Sequence, residues 1–191
     1  MERQHISASL IEDEIMAGMK PDDAIEILMN MYGEELKRLM FSYTKNWAQT
    51  EDLIQEVFLA IYQKLDTFEG RSKLKSWIYS IAINKCKDYL RSWHFRKLQL
   101  TDQFFSFGDE GGAVPEEELI LKDESRQLIK FVLQLPIKYR EVIILFYYKD
   151  LSTDEISQLL EISLSTVKTR LHRGREKLKK MHSLRGGMLN G

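Results

Sequence analysis

From Ser72 to Lys97 the chain carries no proline and no glycine, which allows about seven unbroken turns of helix. A glycine-containing turn at Glu69-Gly70 precedes it, and Ser72 is placed to cap. Ile78, Ile81, Ala82, Cys86, Tyr89 and Trp93 recur at three and four residues, so they form one apolar face that must lie on a core. A second stripe, Lys73, Trp77, Ser80, Asn84, Lys87 and Arg91, repeats at the same spacing with cations, one indole and one amide. Trp77 at the rim of a core with solvated cations around it is one account of that stripe. The other is a platform for single-stranded nucleic acid, where cations hold phosphates, a ring stacks on a base and an amide bonds a base edge. Between Arg71 and Lys97 eight cations stand against Asp88 alone, which favours the second.

The net charge of -1 conceals segregation along the chain. Residues 1–66 hold thirteen acids and six bases, residues 102–124 hold eight acids and one base, and Lys168 to Arg185 is again basic. A length of 191 residues allows one domain or two small ones. The N-terminus starts no apolar run, and Val142 to Tyr148 is too short to cross a bilayer, so neither a signal peptide nor membrane insertion is expected. With one cysteine no internal disulfide forms, and a cytoplasmic location is the expectation. Cys86 lies on the apolar stripe as a small hydrophobe, and His5, His94, His172 and His182 show no metal-ligand spacing with it. No metal and no cofactor are expected.

The pattern predicts an all-α chain of two small helical domains, the second containing a helix-turn-helix, joined by an acidic flexible linker, at residues 8–98, 99–122 and 123–184. In the first, Leu10 to Lys45 reads as two helices broken near Gly18 to Pro21, with Asp22 or Asp23 as N-cap. Ala24, Ile25, Leu28, Met31, Tyr32, Leu36, Leu39, Met40 and Tyr43 form its buried stripe. Thr50 is expected to cap a third helix that buries Leu53, Val57, Ile61 and Leu65. Asp52, Gln55, Glu56, Leu59 and Gln63 are left outward, as a solvated face or as a docking face for a partner protein.

The linker gathers Gly108, Gly111, Gly112 and Pro115 among its acids, with Phe104, Phe105 and Phe107 placed to pack on a neighbouring domain or a partner. Its carboxylates would repel DNA from the free protein or follow a basic channel. In the second domain Leu128, Ile129, Val132 and Leu133 predict a short helix ending at Pro136, and Ile137 to Lys149 a central one. Ser152 and Glu155 fit a capping box ahead of Ile156, Leu159 and Leu160. A basic helix follows, with Leu164, Val167, Leu171 and Leu178 inward and Lys168, Thr169, His172, Arg173 and Arg175 outward.

The segments EDLIQEVFLAIYQKLDTF, KLKSWIYSIAINKCKDYLR and LPIKYREVIILFYYKDLSTDEISQLLEISLSTVKTRLHRGREKLK resemble, in this order, the two domains of bacterial extracytoplasmic-function (ECF) sigma factors of the sigma-70 family. The resemblance implies a factor that binds core RNA polymerase, recognises a two-part promoter and helps open it. By it, Asp52, Gln55 and Glu56 hold the polymerase clamp, and the loop from Phe68 through Arg71, Ser72 and Lys73 to Leu74 receives a flipped base. Trp77 and Asn84, with Lys87 and Arg91 along the stripe, hold the separated strand of the downstream element. Thr166, Lys168, Thr169, His172, Arg173 and Arg175 read the upstream element as duplex. Promoter DNA and an anti-sigma protein, often membrane-anchored in this family, are the further partners implied. Ser76 replaces a common threonine, Lys73 a small residue, and Glu161 and Ser165 two frequent glycines; a left-handed backbone at Glu161 costs about 1 kcal/mol. The chain ends soon after the basic helix, so no regulatory domain is expected to follow.

Two rival classes remain open from residues alone. A one-component helix-turn-helix regulator would use the basic helix but leave the faces at Asp52 and at Trp77 without a task. An enzyme would need a nucleophile with its base, or clustered metal ligands, and none can be assembled.

Overall fold

A computed structural model describes the backbone of residues 11, 13–15, 17–100 and 123–188, and the side chains among them except those of 93–100, 123–126 and 184–188. The acidic linker with Phe104, Phe105 and Phe107, and the side chain of Trp93, lie outside this description. Every regular element among the described residues is a helix, and they divide into two compact units, with the boundary after Asp109.

In the first unit Gly18 takes φ 91, the turn that separates the helical stretch around Ile11 and Ile15 from α1, Pro21–Thr44. Lys20 is the N-cap here, and Asp22 and Asp23 instead fill the first turn. The reason is Pro21 at N1, whose missing N–H costs nothing there and whose fixed φ starts the helix, leaving both carboxylates where the dipole favours them. A left-handed Lys45 ends α1, and Asn46 starts α2, Trp47–Lys64, by accepting the Gln49 amide at 3.1 Å. Thr50 is therefore not the cap. It sits fully buried in the first turn, its hydroxyl 2.7 Å from both the Asn46 carbonyl and the Thr44 hydroxyl. Tyr62 donates to Asp22 at 2.9 Å and Lys37 meets Glu51 at 3.2 Å, so α1 and α2 run antiparallel.

A 3-10 turn, Leu65–Thr67, leads to α3, Leu74–Leu100, which packs on both earlier helices. Ile78, Ile81, Ala82 and Cys86 are buried, together with Tyr79 and Ile83, so the buried arc is wider than one stripe. Burial pushes the Cys86 thiol up to about 12. Its reactive thiolate is scarce at neutral pH as well as shielded. At pH 8.5 the folded chain is expected to resist iodoacetamide through an exposure that fully alkylates the same chain in urea. Equal alkylation of both forms would place Cys86 outside the core.

In the second unit α4, Asp123–Gln134, buries Phe131 and Val132, followed by Leu135, while Leu128 is 47% exposed. The inward face is thus rotated from the one the spacing predicts, because α4 meets both α5, Ile137–Tyr147, and the last helix. Short α6, Thr153–Leu160, carries the capping box at Ser152 and Glu155. Glu161 is left-handed at φ 57, and Ile162 and Ser163 complete the turn into α7, Leu164–Met188. Gly174 lies where α7 crosses α5 so closely that an added Cβ would meet Ile143 Cγ1 at 2.9 Å.

Candidate functional site

The loop after the 3-10 turn and the start of α3 form the first candidate surface. Gly70 at φ 65 bends the chain back, and Phe68, buried, lays its ring 5.2 Å from that of Trp77 at an interplanar angle of 48°. Phe68 thus props the indole, whose remaining face stays half-exposed. Thr67, Phe68, Glu69, Arg71, Ser72 and Trp77 line an open cleft of about 230 Å³. Thr67 donates to the Lys64 carbonyl at 2.6 Å, and Arg71 pairs with Glu69 at 2.5 Å with both side chains mostly exposed, a pair worth at most about 1 kcal/mol. Along the same side of α3, Lys73, Asn84 and Arg91 are exposed and Ser80 and Lys87 half-buried. Arg91 is paired to Asp88, and Ser80 donates to the Trp77 carbonyl at 2.7 Å. The predicted stripe is continuous on this surface.

Asp52, Gln55 and Glu56 all lie exposed on α2. Glu56 reaches Lys85 of α3 at 3.2 Å, so the acidic and basic faces adjoin. Further along the same side Leu59 and Tyr62 expose 57% and 40% of their surface. Tyr62 shares the helical spacing of Gln55 and Leu59, but an aromatic side chain by itself suggests burial, so the sequence does not single it out for this face.

In the second unit the turn between α6 and α7 is locked from both sides. Ser157 donates to the Ile162 carbonyl at 2.6 Å, and Ser163 accepts the Thr166 amide at 3.2 Å. Val167, Leu171 and Gly174 of α7 are buried against the unit. Lys168, Thr169, His172, Arg173 and Arg175 point to solvent, with Thr166 half-buried at the first turn. His172 Nδ1 lies 3.5 Å from Glu176 one turn on. Arg170 is one basic residue among many on α7, and nothing in the sequence singles it out. It turns inward and binds the buried Glu141 at 2.8 Å, tying α7 to α5. Beside it a cleft of about 270 Å³ opens between the two helices, with Lys138, Tyr139, Thr166, Thr169 and Arg173 on its walls. No group of three or more His, Cys, Asp or Glu side chains that could hold a metal occurs among the described residues.

These two units coincide with two family patterns: sigma-70 region 2 matches residues 28–94, and sigma-70 region 4 matches residues 125–178. The ECF RNA polymerase sigma factor SigW of Bacillus subtilis is 34% identical over 182 residues, covering 90% of this chain and 96% of that protein. The chain belongs to the ECF sigma factors of the sigma-70 family. The ECF RNA polymerase sigma-E factor of Escherichia coli is 32% identical over 162 residues, 80% of this chain and 83% of that one. The all-helical fold of this sigma factor is shared with the sigma factor RpoE solved with the anti-sigma factor NepR from Bartonella quintana. That match has a TM-score of 0.70 at 23% identity and covers 83% of this chain and 96% of the other.

Proposed function

We propose that this sigma factor binds core RNA polymerase through Asp52, Gln55 and Glu56, reads an upstream promoter element as duplex through α7, and captures the opened downstream element on Trp77 and Asn84. The observation that carries the division is the pair of unlike surfaces. One is an indole propped on a buried ring within a cationic stripe, suited to an unstacked base, and the other a helix with five outward polar side chains, suited to a groove. The Phe68 to Lys73 cleft takes the flipped base in this reading, and Lys87 and Arg91 follow the strand. Capture offsets an unpairing cost of a few kcal/mol per base, while phosphate contacts add affinity that carries no sequence information.

The chain acts as an initiation factor, with bond making left to the polymerase. Action in the cytoplasm is part of the same proposal. No described helix is long and apolar enough to cross a membrane. An anti-sigma protein is a further partner in this proposal, supported by the complex in which the fold neighbour was solved. A one-component regulator accounts for α7 but leaves the α2 face and the Trp77 stripe idle.

Mixing the chain with bacterial core RNA polymerase and a genomic template library is expected to yield promoter-dependent transcripts. If no start site gains transcripts over core enzyme alone, the reading fails. With a cognate promoter in hand, Arg173→Ala is expected to lower its use more than nonspecific duplex binding, by about 1–3 kcal/mol for a bidentate base contact. A loss that is uniform across sequences would make Arg173 a phosphate contact.

A further inference from the structure

Lys138 and Tyr139, on the α5 wall of the cleft between α5 and α7, are left unused by base reading. Lys138 Nζ lies 5.3 Å from the centre of the Tyr139 ring and Lys177 Nζ 5.9 Å from it, while Arg173 lines the same cleft as Tyr139. Two lysines from two helices therefore flank one buried aromatic ring, with Arg173 beside it on the cleft wall. No carboxylate is among the residues lining the cleft, and Arg170 on its wall is already neutralised by Glu141. Each cation–π contact at such a site returns only about 0.5–1 kcal/mol, and like charges gathered this closely repel. The arrangement is favourable when an anion enters. Arg173 and the nearby lysines hold the Tyr139 phenol below its usual range, a sign of the same positive field.

The anion is identified by where the cleft opens. Thr169 and Arg173 lie on its wall and also on the outward side of α7, whose neighbours Lys168 and His172 face solvent. A helix seated in a major groove about 12 Å wide has a sugar-phosphate strand along each side, and groups flanking the reading face meet those phosphates. We propose that Lys138 binds one backbone phosphate of the duplex read by α7, from the cleft wall it shares with Tyr139 and Arg173. The proposal rests on the duplex-reading role given to α7 and adds a contact from α5, outside the helix-turn-helix pair. Lys138 is exposed, so its removal leaves the core intact.

The test is a methylphosphonate scan of promoter-duplex binding by core RNA polymerase assembled with the full chain or with Lys138→Ala, with Lys138→Arg as the conservative variant. One linkage is expected to weaken the unsubstituted chain and Lys138→Arg when neutralised, and to leave Lys138→Ala unchanged. Lys138→Ala is also expected to lose the same factor on cognate and scrambled duplexes. Its fall in affinity between roughly 50 and 200 mM salt is expected to be about 3.5-fold smaller, the share of one released counterion. Linkages that affect both chains alike, a loss at Lys138→Ala that depends on sequence, or no duplex binding by any chain each overturn the phosphate site. Promoter-dependent transcription is read on the same preparations. Transcripts without a linkage effect sink this contact alone, whereas no transcripts from the unsubstituted chain sink the promoter-reading role beneath it.

Discussion

Trp77→Ala is expected to reduce open-complex formation by about five- to 150-fold, the equivalent of the roughly 1–3 kcal/mol that one base stack returns. The indole is propped on Phe68 and only half-exposed, so its face is presented without an entropic cost of ordering at the moment of capture. Trp77→Phe keeps a ring on the same support and is expected to retain most of the activity. Asn84→Ala removes an exposed amide that no core packing needs. It is expected to cost about 0.5–1.5 kcal/mol, one hydrogen bond, in opening alone. The measurement is permanganate footprinting of melted bases beside protection of the closed upstream duplex. Equal loss in both readouts, for either variant, contradicts the assignment of strand capture to the first unit.

Arg170→Ala is expected to cost the second unit about 3 kcal/mol. Removing one partner of a buried ion pair costs about 3–5 kcal/mol because the remaining charge stays desolvated, and the lower figure applies here since Arg170 itself is 25% exposed. A helical unit of this size has only about 3–10 kcal/mol in total. The melting temperature of the second unit should fall by about 12–24 °C. All three tryptophans, Trp47, Trp77 and Trp93, belong to the first unit, so their fluorescence transition should stay in place while part of the circular-dichroism transition moves. Replacing both Glu141 and Arg170 by methionine is expected to restore stability, since an apolar pair carries no desolvated charge. If Arg170→Ala melts like the parent, the contact is a solvated one and does not hold α7 to α5.

The helices, the break at Gly18 to Pro21 and the capping box at Ser152 were legible because each depends on residues within one or two turns. The left-handed Glu161 was anticipated only through the family resemblance, in which that position often holds glycine. Thr50 misled because a threonine followed by two acids has every local feature of a cap. Asn46 supplies the cap instead, and Thr50 is drawn inward by the Thr44 hydroxyl of α1. Leu128 likewise satisfies the spacing of a buried residue, yet two partner helices rotate α4 so that Phe131 and Leu135 face in.

Helical class, the two domains, the segregated charge and the outward stripes at Asp52, Trp77 and Lys168 follow from the sequence alone, since periodicity decides which side chains share a face. The support of Trp77 by Phe68, the inward turn of Arg170 onto Glu141 and the gathering of Lys138, Arg173 and Lys177 around Tyr139 needed the tertiary structure. The first pairing joins a loop to the helix after it and the other two join different helices, and no helical period relates such segments until packing sets their separation and rotation.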